Sequence, residues 1–491
     1  MRDAMRMPSW VRRLPKRIAL GAAMLVVALL ALRIWDTQRG PPLRPWHLVV
    51  PEEMHAEAID AADWSRYLAV EEAAFATVRT KVTEALEPED RTPANRYFAG
   101  SPLYPAHFAQ DWNRSFVLEP EGEPLGAVVL LHGLTDAPFS LRHIGTRYRD
   151  RGWVAVGIRL PAHGTVPAAL TEVVWEDWLA ATRLAVREAQ RRVGSGRPLH
   201  IVGFSNGGAL AVKYALDATE NPSLPRVDRL VLVSPMIGVT AFARFAGLAA
   251  LPALLPRFAK AAWLGIVPEF IPFKYNSFPV NGARQSYRLT TALQAQVLRQ
   301  AADGRLAQLP PILTFQSVVD FTVNTRAVIA ALYDRLPAKG SELVLFDINS
   351  NAKLGPLVAP AAETALERLL PPGARAFRVT TVTNAGPGRD DAVERTTEAS
   401  ATEERVSPLG LSWPRDIFSL SHVALPFPVG DGLYGLDPDP AEDFGVRLGA
   451  LAVRGERGVL TISPNALVRL SSNPFFPYLL ARIEEGIRPT R

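Results

Sequence analysis

Short apolar runs alternate with longer stretches of helical periodicity through the middle of the chain. The runs are AVVLLHG (127–133), WVAVGIRL (153–160), LHIVGF (199–204), DRLVLVSP (228–235), PPILTFQSVVD (310–320) and ELVLFDI (342–348). Near-continuous apolarity within so few residues means burial on both faces. Helical stretches between successive runs let neighbouring strands lie parallel. The intervening segments FSLRHIGTRYRDRG (139–152), VVWEDWLAATRLAVREAQRRVG (173–194), GGALAVKYALD (207–217) and TRAVIAALYDRL (325–336) supply those helices. The expected fold class is therefore α/β: a mostly parallel sheet with helices on both faces.

Charge excludes one class of partner. The net charge of +5 resides in residues 1–17, where Arg2, Arg6, Arg12, Arg13, Lys16 and Arg17 face a single acid, Asp3. The remainder is neutral, so no basic surface for nucleic acid is expected. Cysteine is absent, which removes disulfides and thiolate chemistry from consideration. After the basic tail comes IALGAAMLVVALLALRIW (18–35), apolar or glycine from Ile18 to Leu32. This segment is read as a transmembrane anchor, with Arg33 snorkelling and Trp35 at the headgroup level. The basic residues ahead of it place the N-terminus in the cytoplasm and the bulk of the chain on the extracytoplasmic side. A cleaved signal peptide, giving a secreted protein, is the alternative.

The remaining boundaries follow from composition. Residues 36–114 read as a linker and helical N-terminal segment, with helical periodicity over 56–86. Residues 115–237 form the first part of the core. Residues 238–306 interrupt the alternation as a helical cap or lid, markedly apolar over 245–273. Residues 307–491 complete the core and carry a long insertion at about 350–412, within which 385–407 reads as a mobile polar loop.

Ser205 stands in Gly203-Phe204-Ser205-Asn206-Gly207, a G-x-S-x-G pattern between an apolar strand and a helix. A serine there is forced onto a tight strand-to-helix turn, and small neighbours allow the two elements to approach. Serine needs a base to act as a nucleophile. Of the eight histidines only His422 follows Ser205. Asp320, at the end of an apolar run, suits an acid that orients the imidazole; it also suits a helix cap, and Asp347 competes for the role. His132 and His163 read as structural.

The motifs LLHGLTDAP, GFSNGG, SVVDFTV and SLSHV, in this order, resemble the α/β-hydrolase superfamily, in particular its carboxylesterase and monoacylglycerol-lipase-like serine hydrolases. The resemblance covers roughly residues 115–350 and the surroundings of His422. It implies Ser205, His422 and Asp320 as a catalytic triad, with backbone N–H groups of Leu134 and Asn206 as the oxyanion hole. It implies no metal and no organic cofactor. It implies hydrolysis of a carboxylic ester, small or lipid-derived, through an acyl-enzyme; acyl transfer, thioester hydrolysis and a non-catalytic scaffold remain open, as does oligomeric state. One departure from the pattern is the 102-residue separation of Asp320 from His422, where a short connection of about 30 residues is usual. The insertion must loop out and return His422 to the sheet.

Overall fold

The computed structural model describes residues 9–238, 250–352, 365–449 and 468–487. Twelve strands are present among them: β1 (Phe116–Leu118), β2 (Gly126–Leu131), β3 (Trp153–Ile158), β4 (Leu199–Phe204), β5 (Arg229–Val233), β6 (Trp263–Gly265), β7 (Phe278–Pro279), β8 (Ile312–Ser317), β9 (Glu342–Phe346), β10 (Arg378–Gly386), β11 (Arg389–Thr397) and β12 (Glu404–Ser412). Ten of these form one sheet in the order β1-β3-β2-β4-β5-β8-β9-β10-β11-β12, while β6 and β7 pair separately. Pairing is parallel from β3 through β10, with β1 antiparallel at one edge and β11 and β12 antiparallel at the other.

The pleat sorts each buried strand onto two cores. Val129, Leu131, Val156 and Ile201 point to one face, against Trp178 and Leu184 of helix Trp175–Val193 and Leu210 and Tyr214 of helix Asn206–Glu220. Val128, Leu130, Val202 and Phe315 point to the other, against Ile144 and Tyr148 of helix Arg142–Asp150 and Leu479 and Ile483 of helix Phe476–Glu484. The expected helix-covered sheet is therefore present.

The reading of 385–407 as a mobile loop is corrected: β10, β11 and β12 run as an antiparallel meander that widens the sheet. Thr380, Val382 and Ala392 bury on it, while β12 at the free edge is mostly exposed or half-buried. An edge strand needs only one apolar face, so its composition resembles a loop's.

This meander is a detour with a closed stem. The chain leaves the end of β9 at Asn349 and returns at Phe418. The Asn349 N–H donates to the Phe418 carbonyl at 2.9 Å, and its side-chain amide donates to Ile417 at 2.8 Å and Pro414 at 3.1 Å. Asn349 is 1% exposed, so its own amide depends on these partners rather than on water. Trp413 buries beside the stem, edge-on to Phe475 at 4.7 Å. His422 follows four residues after Phe418.

The cap is only partly helical. Short 3-10 turns cover Leu251–Leu254 and Pro256–Ala262, the β6–β7 hairpin follows, and a long helix spans Val280–Ala302. Recurrent prolines account for the broken first half. The part of the cap over 239–249 lies outside the described residues. Helix Ser9–Arg39 contains a segment, Ile18–Arg39, long and apolar enough to cross a membrane. Its end meets the cap through Arg33 to the Trp263 carbonyl and through Lys260 to the Gly40 carbonyl at 2.9 Å.

Replacing Asn349 with alanine strips hydrogen bonds from the buried Ile417 carbonyl and the half-buried Pro414 carbonyl while leaving the chain's apolar contacts intact. The expected loss is about 2–4 kcal/mol of stability, read as a lowered urea midpoint; an unchanged midpoint would show that the stem is held by packing alone.

Candidate active site

Ser205 joins β4 to helix Asn206–Glu220 with φ +54° and ψ −117°. An L-residue reaches this conformation only at a cost, and here it is held by neighbours. Its N–H donates to the Val233 carbonyl at 3.0 Å, and its carbonyl accepts from Met236 at 2.9 Å and Gly208 at 3.0 Å. Glycines are required on both sides by close approach. A Cβ on Gly203 would strike the Gly207 carbonyl, and one on Gly207 would strike the Leu131 carbonyl. Strand and helix therefore meet backbone to backbone, and the serine hydroxyl stands at the sheet's end.

His422 lies with Ser205 on the wall of one cavity of about 550 Å³. Its ring stacks on Phe204, centroids 5.0 Å apart. Its Nδ1 lies 3.1 Å from Asp320 Oδ2, leaving Nε2 as the nitrogen for proton exchange. Asp320 Oδ1 accepts backbone N–H groups of Thr322 and Val323, both at 2.8 Å. Burial alone would raise this carboxyl's pKa; the His422 imidazole and the hydrogen bonds from Ser234 and Val323 outweigh it and hold the group below its ordinary value. Asp347 accepts instead from Thr383 at 2.9 Å, and burial pushes it up.

One member of this cluster carried no sequence signal. Ser234, directly after β5 and itself at φ +47°, donates to Asp320 Oδ2 and lies 2.9 Å from His422 Nδ1. It stands at the same sheet edge as the ends of β4 and β8, the only clue its position offered.

Leu134 lines the cavity beside Ser205. Gly133 permits this approach, since a Cβ there would come within 3.1 Å of Ser205 Cβ. The next residue, Thr135, has φ +63°, and its carbonyl accepts from the Tyr275 N–H of the cap at 2.7 Å. Asn206 is the first residue of its helix, where the N–H has no partner within the helix. Its side chain accepts from Ser286 at 3.3 Å.

His132 and His163 act in the framework. Leu160 N–H donates to His132 Nε2 at 3.0 Å, so His132 Nδ1 carries the proton given to Gly133 O at 2.9 Å. His163 Nδ1 donates to Pro161 O at 3.0 Å. His143, Asp431 and Glu442 cluster, and the Arg142 guanidinium neutralises the two acids, 2.9 Å from Asp431 and 2.7 Å from Glu442.

Residues 122–348 match the family model described as serine aminopeptidase, S33. That match covers under half of the chain, and over it the chain is similar to α/β hydrolases, whose mostly parallel sheet the fold above shares. A curated relative, a thermostable monoacylglycerol lipase from Bacillus sp. (strain H-257), is 30% identical over 95 residues, which is 19% of this chain and 36% of that protein. The aligned region thus spans little more than a third of that relative's length. Among solved structures, one from the study of the metagenome-derived lipolytic enzymes LipS and LipT is 20% identical, covering 52% of this chain and 97% of the other, with a TM-score of 0.37. A soluble variant of monoglyceride lipase from Saccharomyces cerevisiae is 15% identical, covering 47% and 81%, with a TM-score of 0.36.

Buried imidazoles give the fold an acid sensitivity. Burial holds His163 and His47 down at about 4 and His200 at about 3, the last two with help from Arg44 and Arg229. The unfolded chain binds protons at these sites from about pH 6.5 downward, and the folded chain refuses them. Stability should fall from pH 6.5 towards 4, by about 1.4 kcal/mol per pH unit for each such imidazole. Urea unfolding of His163→Gln against the parent, which cancels the carboxylates, should show a shallower slope by about that amount; equal slopes would refute the assignment.

Proposed function

We propose that this chain is a serine hydrolase of carboxylic esters working through an acyl-enzyme. The observation that carries the reading is His422, returned across the meander to share one cavity with the strained Ser205 while Asp320 holds its Nδ1. Ser205 Oγ attacks the ester carbonyl as His422 Nε2 takes its proton, and Asp320 stabilises the imidazolium. N–H groups of Leu134 and Asn206 receive the oxyanion. His422 then protonates the departing alcohol and activates water to release the acid. Ser234 fixes the Asp320 carboxylate against His422 and so positions the base. No metal or organic cofactor takes part in this scheme.

The curated relative is a monoacylglycerol lipase, and Met236, Phe270, Ile271 and Leu470 give the cavity apolar wall. An ester with an apolar arm is the substrate this supports. The matched family description names an aminopeptidase, but an α-ammonium calls for a carboxylate, and among the described lining residues there is none. Helix Ser9–Arg39 supports an anchored protein, since Leu20, Leu25, Leu29 and Leu32 are all more than half exposed, unlike the residues of a soluble core helix. The basic residues of 1–17 favour the N-terminus in the cytoplasm and the hydrolase outside it.

Ser205→Ala should abolish covalent labelling by a fluorophosphonate and ester turnover together; labelling that persists would place the nucleophile elsewhere. Ser234→Ala should keep the labelling but lower kcat/KM about tenfold, the loss of one charge-assisted hydrogen bond on the acid. Unchanged kcat/KM would remove Ser234 from the positioning role.

A further inference from the structure

Two cations stand on the wall of the cavity that holds Ser205 and His422. Lys274 comes from the cap and Arg469 from the segment after His422, and among the described lining residues no carboxylate accompanies them. We propose, resting on the ester-hydrolase reading, that the substrate carries an oxyanion, a carboxylate or a phosphate, on one arm, and that Lys274 and Arg469 receive it.

Lys274 is held in place rather than left on a surface chain. Its loop is tied by Glu269, whose carboxylate accepts the N–H groups of Ser277 at 2.7 Å and Asn276 at 3.0 Å. The buried Arg96 guanidinium donates to the carbonyls of Ile271 at 3.2 Å and Lys274 at 3.4 Å. Yet the Lys274 ammonium, half-buried, closes no ion pair among the described residues. Asp136 attracts it from behind the wall, but one Asp136 oxygen has no hydrogen-bond partner and burial pushes that carboxyl upward. Burial pushes the Lys274 ammonium down, Asp136 opposes this, and Arg469 adds repulsion.

Arg469 is fixed from the other side. Its guanidinium donates to Thr322 Oγ1, and the Thr322 N–H is one of the donors to Asp320. Its own carbonyl accepts from Ser421, adjacent to His422. Cations from two separate elements thus converge beside the reacting groups and repel one another. A substrate oxyanion entering between them replaces that repulsion with charge-assisted hydrogen bonds. The apolar residues of the same wall take the rest of the molecule, so the fitting substrate has a charged end and a greasy one.

The test uses matched esters on the full-length protein in detergent: p-nitrophenyl hexanoate against mono-p-nitrophenyl adipate, and 1-hexanoylglycerol against its 3-phosphate. The anionic member of at least one pair should show kcat/KM about tenfold above the neutral one, the worth of one hydrogen bond to a charged group. That ratio should fall to near one in Lys274→Met and Arg469→Met, survive in Lys274→Arg, and shrink as salt is raised. Which pair responds separates carboxylate from phosphate. A ratio of one or less in both pairs, or a ratio untouched in both methionine variants, overturns the proposal. Calorimetry of adipamate against hexanamide on Ser205→Ala separates the two failures. Adipamate bound through Lys274 without turnover of any ester removes the hydrolase reading and keeps the anion site. Neutral-ester turnover without anion preference does the reverse.

Discussion

Asn349 anchors the segment that leads to His422, the proposed base. Its backbone and side chain close the stem from which the β10–β12 meander departs and to which it returns. Loop closure becomes only slowly more costly with length, so the detour need not weaken the fold if its two ends are pinned. Asn349 does the pinning with groups that are buried and therefore expensive to leave unpaired. The separation of Asp320 and His422 in sequence is thereby disconnected from their separation in space, and a 3.1 Å contact results.

The meander also has a structural logic of its own. It continues the sheet beyond β9, with β10 parallel to β9 and then two antiparallel strands. Thr380 joins both sides of this extension, donating to Glu342 at 2.8 Å and lying 3.2 Å from Thr396. Glu342 is in turn paired with Arg482 of the last described helix. An insertion tied to the sheet in this way serves as a platform for the returning chain.

Much of this was legible in the residues. Apolar runs bounded by helical periodicity marked β2, β3, β4, β5, β8 and β9, because burial on both faces leaves a composition that few other structures share. The glycine-flanked serine, the lone late histidine and the strand-end aspartate were likewise visible, and the structure gathers them at one sheet edge. The meander was misread because only part of it is buried; RVTTVTN (378–384) carried the β-branched signal, and Gly388, at φ +75°, marked the hairpin turn. Ser234 and Lys274 were missed for a different reason. Each acts through what the fold sets beside it, and no local spacing records that.

The cap is more than a cover over Ser205. Tyr275 N–H holds the carbonyl of the positive-φ Thr135, and Tyr275 OH donates to Ala162 O at 3.1 Å. Thr135 directly follows Leu134, so the cap braces the turn whose N–H is proposed to receive the oxyanion. The same stretch supplies Phe270, Ile271 and Lys274 to the cavity wall. A displacement of this loop by substrate would therefore reach the turn proposed to receive the oxyanion as well, since the positive-φ Thr135 rests on Tyr275. In the proposed scheme, recognition of the substrate's arms and stabilisation of its carbonyl thus rest on two stretches of backbone joined through Tyr275 and Thr135.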